Sequence, residues 1–192
     1  MYEKRLNLLY NLLHYYMGII TGPGPVKLFV GMLSNDVTLF DRMKERLQDI
    51  YGPVDLESPV WPWEYTHYYA EEMGEGLKRK FLFFERLMSP DTISDIKVTT
   101  NKLEQDFVNA GGGRRINLDP GYLDAAKLVL VSTKDYSHRI YLGKGIYGEV
   151  TLIYKEGAFQ TLPYTYPDYG SNEYRELFSR ARTLYQTQVY QH

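Results

Sequence analysis

Residues 26 to 32, V-K-L-F-V-G-M, form an almost unbroken apolar run, the pattern of a strand covered on both faces. The period then changes. Val37, Phe40, Met43, Leu47 and Ile50 recur at helical spacing behind the candidate caps Asn35 and Asp36, and Gly52-Pro53 ends the run. The aromatic segment 61 to 69, W-P-W-E-Y-T-H-Y-Y, reads as extended and is expected to pair with a strand at 77 to 87. Ser89-Pro90-Asp91 opens a second helix whose buried stripe is Ile93, Ile96, Thr100, Leu103 and Phe107. After Gly111-Gly112-Gly113, short apolar runs predict strands near 115–118, 127–132, 138–142, 147–154 and 158–163, with Lys155-Glu156-Gly157 turning the last pair into a hairpin. A final helix, capped by Ser171 or Asn172, turns Tyr174, Leu177, Phe178, Ala181, Leu184 and Tyr185 inward.

The order β-α-β-β-α-β is that of the ferredoxin-like split βαβ unit. It predicts an α+β fold: a mainly antiparallel sheet with helices packed on one face, extended by further C-terminal strands and a helix. A mixed α/β sheet is the alternative. Residues 25–192 read as one α+β domain. Residues 1–24 read as an amphipathic helix, with Leu6, Leu9, Leu13 and Met17 on one face, followed by a Gly/Pro linker. Asn7, Asn11 and His14 interrupt that N-terminal run, Glu3 sits in its basic start and no A-x-A site follows, so neither a signal peptide nor a membrane span is expected.

Composition narrows the function classes. The 22 basic and 24 acidic residues are interspersed, without the dense basic stripe of a duplex binder, so extended nucleic acid is not an expected partner although a nucleotide is admissible. The absence of cysteine removes disulfides, thiolate zinc sites and a cysteine nucleophile, and fits a cytoplasmic location. Tyrosine is in excess, at 19 residues; its half-polar ring suits clefts and interfaces, although ordinary strand faces account for most of them.

Candidate chemistry concentrates between Arg114 and Glu149, where polar groups fall at the ends of apolar strands. Asp119-Pro120-Gly121-Tyr122 has the composition of a type II turn. If a strand precedes it, Arg115, Asn117 and Asp119 alternate with Ile116 and Leu118 and share a face, where they would grip an anionic or ribose-like ligand. On the second helix Lys97, Asn101 and Glu104 flank the buried stripe and can edge a cleft. The triple glycine with Arg114-Arg115 is a flexible connection or a phosphate cradle; it is no Walker loop. His138 is the candidate general acid/base, with Lys134 and Arg139 beside it as anion ligands. Glu149 follows Gly145-Ile146-Tyr147-Gly148, and with Glu72, Glu104 and Asp119 it forms a carboxylate set for acid/base work or for Mg²⁺, the one cofactor candidate. No histidine spacing suits a transition metal.

Together Y-Y-A-E-E-M-G (68–74), I-K-V-T-T-N-K-L-E (96–104), R-I-N-L-D-P-G-Y (115–122), T-K-D-Y-S-H-R (133–139), G-I-Y-G-E (145–149) and T-Y-P-D-Y (165–169) resemble the blocks of a prokaryotic family of unknown function, DUF4416. The resemblance runs from about Pro25 into the final helix, and the site candidates fall on its motif positions. It brings no activity with it. Two readings follow. In the first, the chain is an enzyme or a ligand-binding domain for an anionic small molecule: Arg115, Lys134 and Arg139 hold the anion, His138 moves a proton, and Glu104, Asp119 and Glu149 orient substrate or hold Mg²⁺. In the second it is a non-catalytic interaction module whose tyrosines and N-terminal helix bind another protein or a second copy in a homodimer. The first requires these groups to converge on one concave pocket.

Overall fold

The computed structural model describes residues 20–66, 69–109 and 111–190. The predicted N-terminal helix lies outside the described residues, as does His67. The central strand β1 (Val26–Ser34) is buried along its whole length. Helix α1 (Thr38–Tyr51) follows; its N-cap position is Val37, which makes no side-chain cap bond, and the expected cap Asp36 stands one residue earlier, where its Oδ1 accepts the Thr38 N–H at 3.0 Å. Strand β2 (Val54–Glu57) comes next, then the two-residue β3 (Trp61–Pro62), the short helix α2 (Ala70–Met73) and the long β4 (Lys78–Met88). A 3₁₀ turn at Pro90–Thr92 leads into α3 (Ile93–Gln105). The chain continues through β5 (Asn117–Leu123), β6 (Lys127–Ser132), β7 (Ile140–Gly143), β8 (Ile146–Lys155) and β9 (Ala158–Thr161) to α4 (Asn172–Tyr190).

All pairings are antiparallel, and the nine-stranded sheet has the order β2-β4-β1-β5-β6-β8-β7, with β3 on β4 and β9 on β8. The β2-β4-β1-β5 portion is the ferredoxin-like arrangement expected from the element order. Its second strand is Val54–Glu57, however. Among the described residues of the aromatic segment 61 to 69, only Trp61–Pro62 joins the sheet.

The two faces of β1 explain where the helices go. Leu28, Val30 and Met32 pack with Leu39, Phe40, Met43 and Leu47 of α1 and with Ile93, Ile96 and Leu103 of α3. Phe29 points the other way and joins Phe81, Phe83, Leu177 and Phe178. The helices of the βαββαβ start thus share one face, as expected, and the appended α4 covers the other. Period-two alternation in a strand with no polar face demands cover on both sides.

Asp119-Pro120-Gly121-Tyr122 forms no turn; it lies inside β5, paired with Gly31, Val30, Phe29 and Leu28 of β1. Sequence chemistry that suits a turn is overridden here by a neighbouring strand. A Cβ on Gly121 would stand 2.4 Å from Val129 O and 2.5 Å from Phe29 Cζ, so glycine is required for close packing rather than for turning. Pro120 then marks a branch point. Strands β5 and β6 pair only through Gly121↔Leu130, Tyr122↔Val129 and Leu123↔Leu128, whereas β5 stays on β1 as far as Asn117. Having no N–H, Pro120 cannot donate to β6 at the first position beyond this pairing. The sheet therefore opens between β5 and β6, and Val131 and Ser132 follow β8 instead.

Candidate functional site

The opening between β5 and β6 is the mouth of a cavity of about 690 Å³. Helix α3 closes the gap from one face, and the loop before α4 closes it from the other. Lys97 and Glu104 do more than line it. Lys97 Nζ donates to Leu118 O at 2.7 Å, and Glu104 Oε1 accepts the Leu118 N–H at 2.7 Å. These buried side chains thus take the backbone bonds that β6 would have made had the sheet stayed closed.

Three arginines organise the rest. Arg79, buried on β4, donates to Asp119 Oδ2 at 3.0 Å and approaches Asp168 Oδ2 at 3.5 Å. It crosses β1 over Gly31, which pairs with Asp119, and a Cβ there would stand 3.2 Å from the guanidinium. Trp63 Nε1 donates to the same Asp168 oxygen at 2.9 Å, so Asp168 anchors both the arginine and the indole. Arg114 makes a two-point fork to Glu72 of α2, Nε to Oε1 at 2.6 Å and the second terminal nitrogen to Oε2 at 2.8 Å. Its other terminal nitrogen donates to Asn117 Oδ1 at 2.7 Å and to Glu104 Oε2 at 3.3 Å. Arg139 donates to Glu149 Oε2 at 2.7 Å, to Lys134 O at 2.8 Å and to Tyr166 Oη at 2.5 Å.

Most of the sequence candidates meet in this place. Lys97, Asn101 and Glu104 from α3, Asn117 and Asp119 from β5, Lys134 and Arg139 from the 133–139 loop and Glu149 from β8 all face the cavity. Asn117 and Asp119 share a face, joined by a 2.8 Å hydrogen bond. Arg115 does not join them: it precedes the strand, its backbone is held by Phe107 O and Ser34 Oγ, and its side chain turns to Asp36 at 2.8 Å. His138 stands behind Glu149 rather than on the wall. Its Nε2 is 2.9 Å from Glu149 Oε2, and its ring stacks on Tyr164 at 4.1 Å. The triple glycine is no phosphate cradle, because Asn109 Oδ1 takes the N–H groups of Gly111 and Gly113, and Asn109 O takes that of Gly112.

Arg79 and Trp63 were missed as site residues, whereas Asp168 and Tyr169 fall in the aromatic turn 164–169, whose sequence suits a pocket wall as well as a packed connector. For Arg79 a signal existed. It lies in phase with Phe81 and Phe83 on β4, and a charged residue in register with core aromatics must have a buried partner. Arg114 was legible only as half of a dipeptide, and the backbone bend at Arg115 decides which of the two faces inward.

The carboxylates differ in character. Loss of solvent works against the charge of Asp119, but Arg79, Lys97 and Asn117 outweigh it and hold its pKa below the ordinary value of 3.8. Asp119 is an acceptor that stays ionised near neutrality. Burial pushes Glu104 above its ordinary 4.5 despite Lys97, the Leu118 N–H and Arg114. The two therefore act oppositely on stability: Asp119 contributes above 3.8 and loses its contribution as pH falls through its depressed value, whereas Glu104 contributes below 4.5 and loses its contribution as pH rises through its elevated value. In a carboxyl-carbon NMR titration, Glu104 is expected to take up its proton at clearly higher pH than Asp119; the reverse order would contradict the geometry. Among the described residues no group of three His, Asp or Glu side chains is placed to hold a metal ion, and the pocket carboxylates are turned to cations and N–H donors instead, so no step is assigned to Mg²⁺.

Among the described residues no helix is long and apolar enough to cross a membrane. No curated protein and no solved structure matches the chain. A family model does: the domain of unknown function DUF4416 matches residues 24–185, most of the chain and all of the elements that build the cavity. By that match the chain belongs to the DUF4416 family.

Proposed function

We propose that the cavity binds a small anionic molecule carrying a ring, of the nucleotide or sugar phosphate class. Convergence carries this reading: side chains from β4, α3, β5, the 133–139 loop, β8 and the loop before α4 meet around one volume of about 690 Å³. That volume falls within the range of about 300–1,000 Å³ usual for small-molecule sites. The aromatic wall of Trp63 and Tyr69, with ring centroids 5.7 Å apart, offers a surface for a base or a sugar face. Each terminal nitrogen of Arg139 makes one hydrogen bond and carries a second N–H for an oxyanion. Asp119 and Glu149 are acceptors for hydroxyl groups. If chemistry follows binding, Glu149 is the group that moves a proton, with His138 behind it as its relay.

A thermal-shift screen of nucleotides and sugar phosphates tests the reading. A ligand at about 100 times its Kd is expected to add about 2.7 kcal/mol to wild type. Arg139→Ala should lose that shift, and Arg115→Ala, altered away from the cavity, should keep it. A wild type indifferent to every compound, or an Arg139→Ala variant that responds fully, would overturn it. One observation favours the interaction-module reading: β7, at the sheet edge, exposes Ile140, Tyr141 and Leu142, and Tyr136 is exposed in the loop before it. That reading needs no ligand in the cavity, so a specific shift abolished at Arg139 separates the two.

A further inference from the structure

The charge arrangement of the cavity bears on which anion it accepts. No guanidinium in the site is uncompensated: Arg79 faces Asp119 and Asp168, Arg114 faces Glu72 and Glu104, and Arg139 faces Glu149. A pocket built to hold a polyphosphate needs a large surplus of positive charge or a metal ion to offset it. Here the carboxylates are set against the cations almost one for one. The spare donors are few as well, because Lys97 and the three arginines already serve protein acceptors. A phosphomonoester brings a charge of about −2 and three acceptor oxygens, a load that the remaining N–H groups of Arg139 and Arg114 can meet. Each further phosphate adds charge that the pocket carboxylates repel, in a site where partial burial weakens screening.

We infer that the ligand is a monophosphate, and that the paired carboxylates of the cavity select against di- and triphosphates of the same body. This rests on the proposed ligand site and adds a charge limit to it. The limit is a device of specificity: repulsion from Asp119, Glu104 and Glu149 discriminates between molecules that share every other contact.

Isothermal titration of the full chain with adenosine, AMP, ADP and ATP, and with guanosine and its three phosphates, tests the limit, each series run with and without Mg²⁺. Affinity is expected to be highest at the monophosphate and to fall about tenfold for each added phosphate without Mg²⁺. Inorganic phosphate is the control for the anion alone and should bind more weakly than the monophosphate. Asp119→Asn removes one of three repelling charges and should narrow the tenfold gap between mono- and diphosphate by about twofold to threefold. Glu149→Gln gives the same test from the other side of the cavity if Asp119→Asn does not fold. Affinity that climbs with phosphate number, or a gap unmoved in a folded variant, overturns the charge limit while leaving the ligand site intact. Silence from every member of both series and from sugar mono- and bisphosphates, in wild type, overturns the site itself.

Discussion

Replacing Arg79 with alanine is expected to lower stability by about 3–5 kcal/mol, enough to remove a large share of what holds a domain of this size together. The guanidinium is buried between Asp119 and Asp168, and its charge is the only cationic one that both carboxylates contact directly among the described residues. The pair need not be a net stabiliser in the intact protein, since desolvating the ions costs about as much as their attraction returns. Taking one partner away is different, because it leaves the buried Asp168 and the partly exposed Asp119 without their shared cation. Packing is a smaller part: the guanidinium carbon lies 5.7 Å from the Trp63 ring centre and 5.8 Å from that of Phe81. Arg79→Met keeps most of the stem and discards the charge, so it should lose nearly as much as Arg79→Ala. Adding Asp119→Asn and Asp168→Asn to Arg79→Met should recover much of the loss, because the uncompensated charges go with it. Urea unfolding midpoints of the set decide the matter. A loss below about 1 kcal/mol in Arg79→Ala would show that the cluster is far better solvated than its burial implies.

Legibility in the sequence followed the physics of each element. Helices with a clear apolar stripe were readable: the predicted stripe of α3 is buried throughout, and Phe40, Met43 and Leu47 of the α1 stripe are buried while its end residues Val37 and Ile50 are exposed, because 3.6-residue periodicity is a property of a single segment. The ferredoxin-like order was readable for the same reason. What failed depends on a neighbour. Asp119-Pro120-Gly121-Tyr122 has turn chemistry, yet β1 and the close approach of Val129 make it a strand. Strand β2, Val-Asp-Leu-Glu, is four residues long and mostly half-buried, too short to announce itself beside the louder aromatic run that follows. Lys97, Asn101 and Glu104 line the cavity together, because helix geometry fixes which residues share a flank. Arg115 was read in place of Arg114 because a bend before β5 breaks the alternation on which the reading relied. Arg79 and Asp168 sit far from the Arg114–Glu149 stretch in the chain, and only the crossing over Gly31 brings the first of them to Asp119.

Glu104 shows how fold and site depend on the same atoms, and its two variants should separate those roles. Glu104→Ala is expected to cost about 2–4 kcal/mol. It leaves the Leu118 N–H buried without its acceptor, a loss of about 1–3 kcal/mol by itself, and it deprives Arg114 and Lys97 of a negative neighbour. Glu104→Gln retains an amide oxygen for the Leu118 N–H and removes only the charge. Burial already disfavours that charge and pushes the Glu104 pKa up, so the glutamine variant should stay within about 1 kcal/mol of wild type. Amide hydrogen exchange locates the effect. Exchange at Leu118 should accelerate strongly in Glu104→Ala and little in Glu104→Gln, while amides on the β1–β4 ladder report only the global change. Equal acceleration in both variants would mean that the charge, not the acceptor, closes the sheet. No acceleration in either would mean that β5 holds its open edge without α3, and that Lys97 and Glu104 are free to serve a ligand. The alanine result expected here implies instead that any ligand reaching Glu104 must compete with the backbone of β5, so that occupancy of the cavity and integrity of the sheet edge are coupled through one carboxylate.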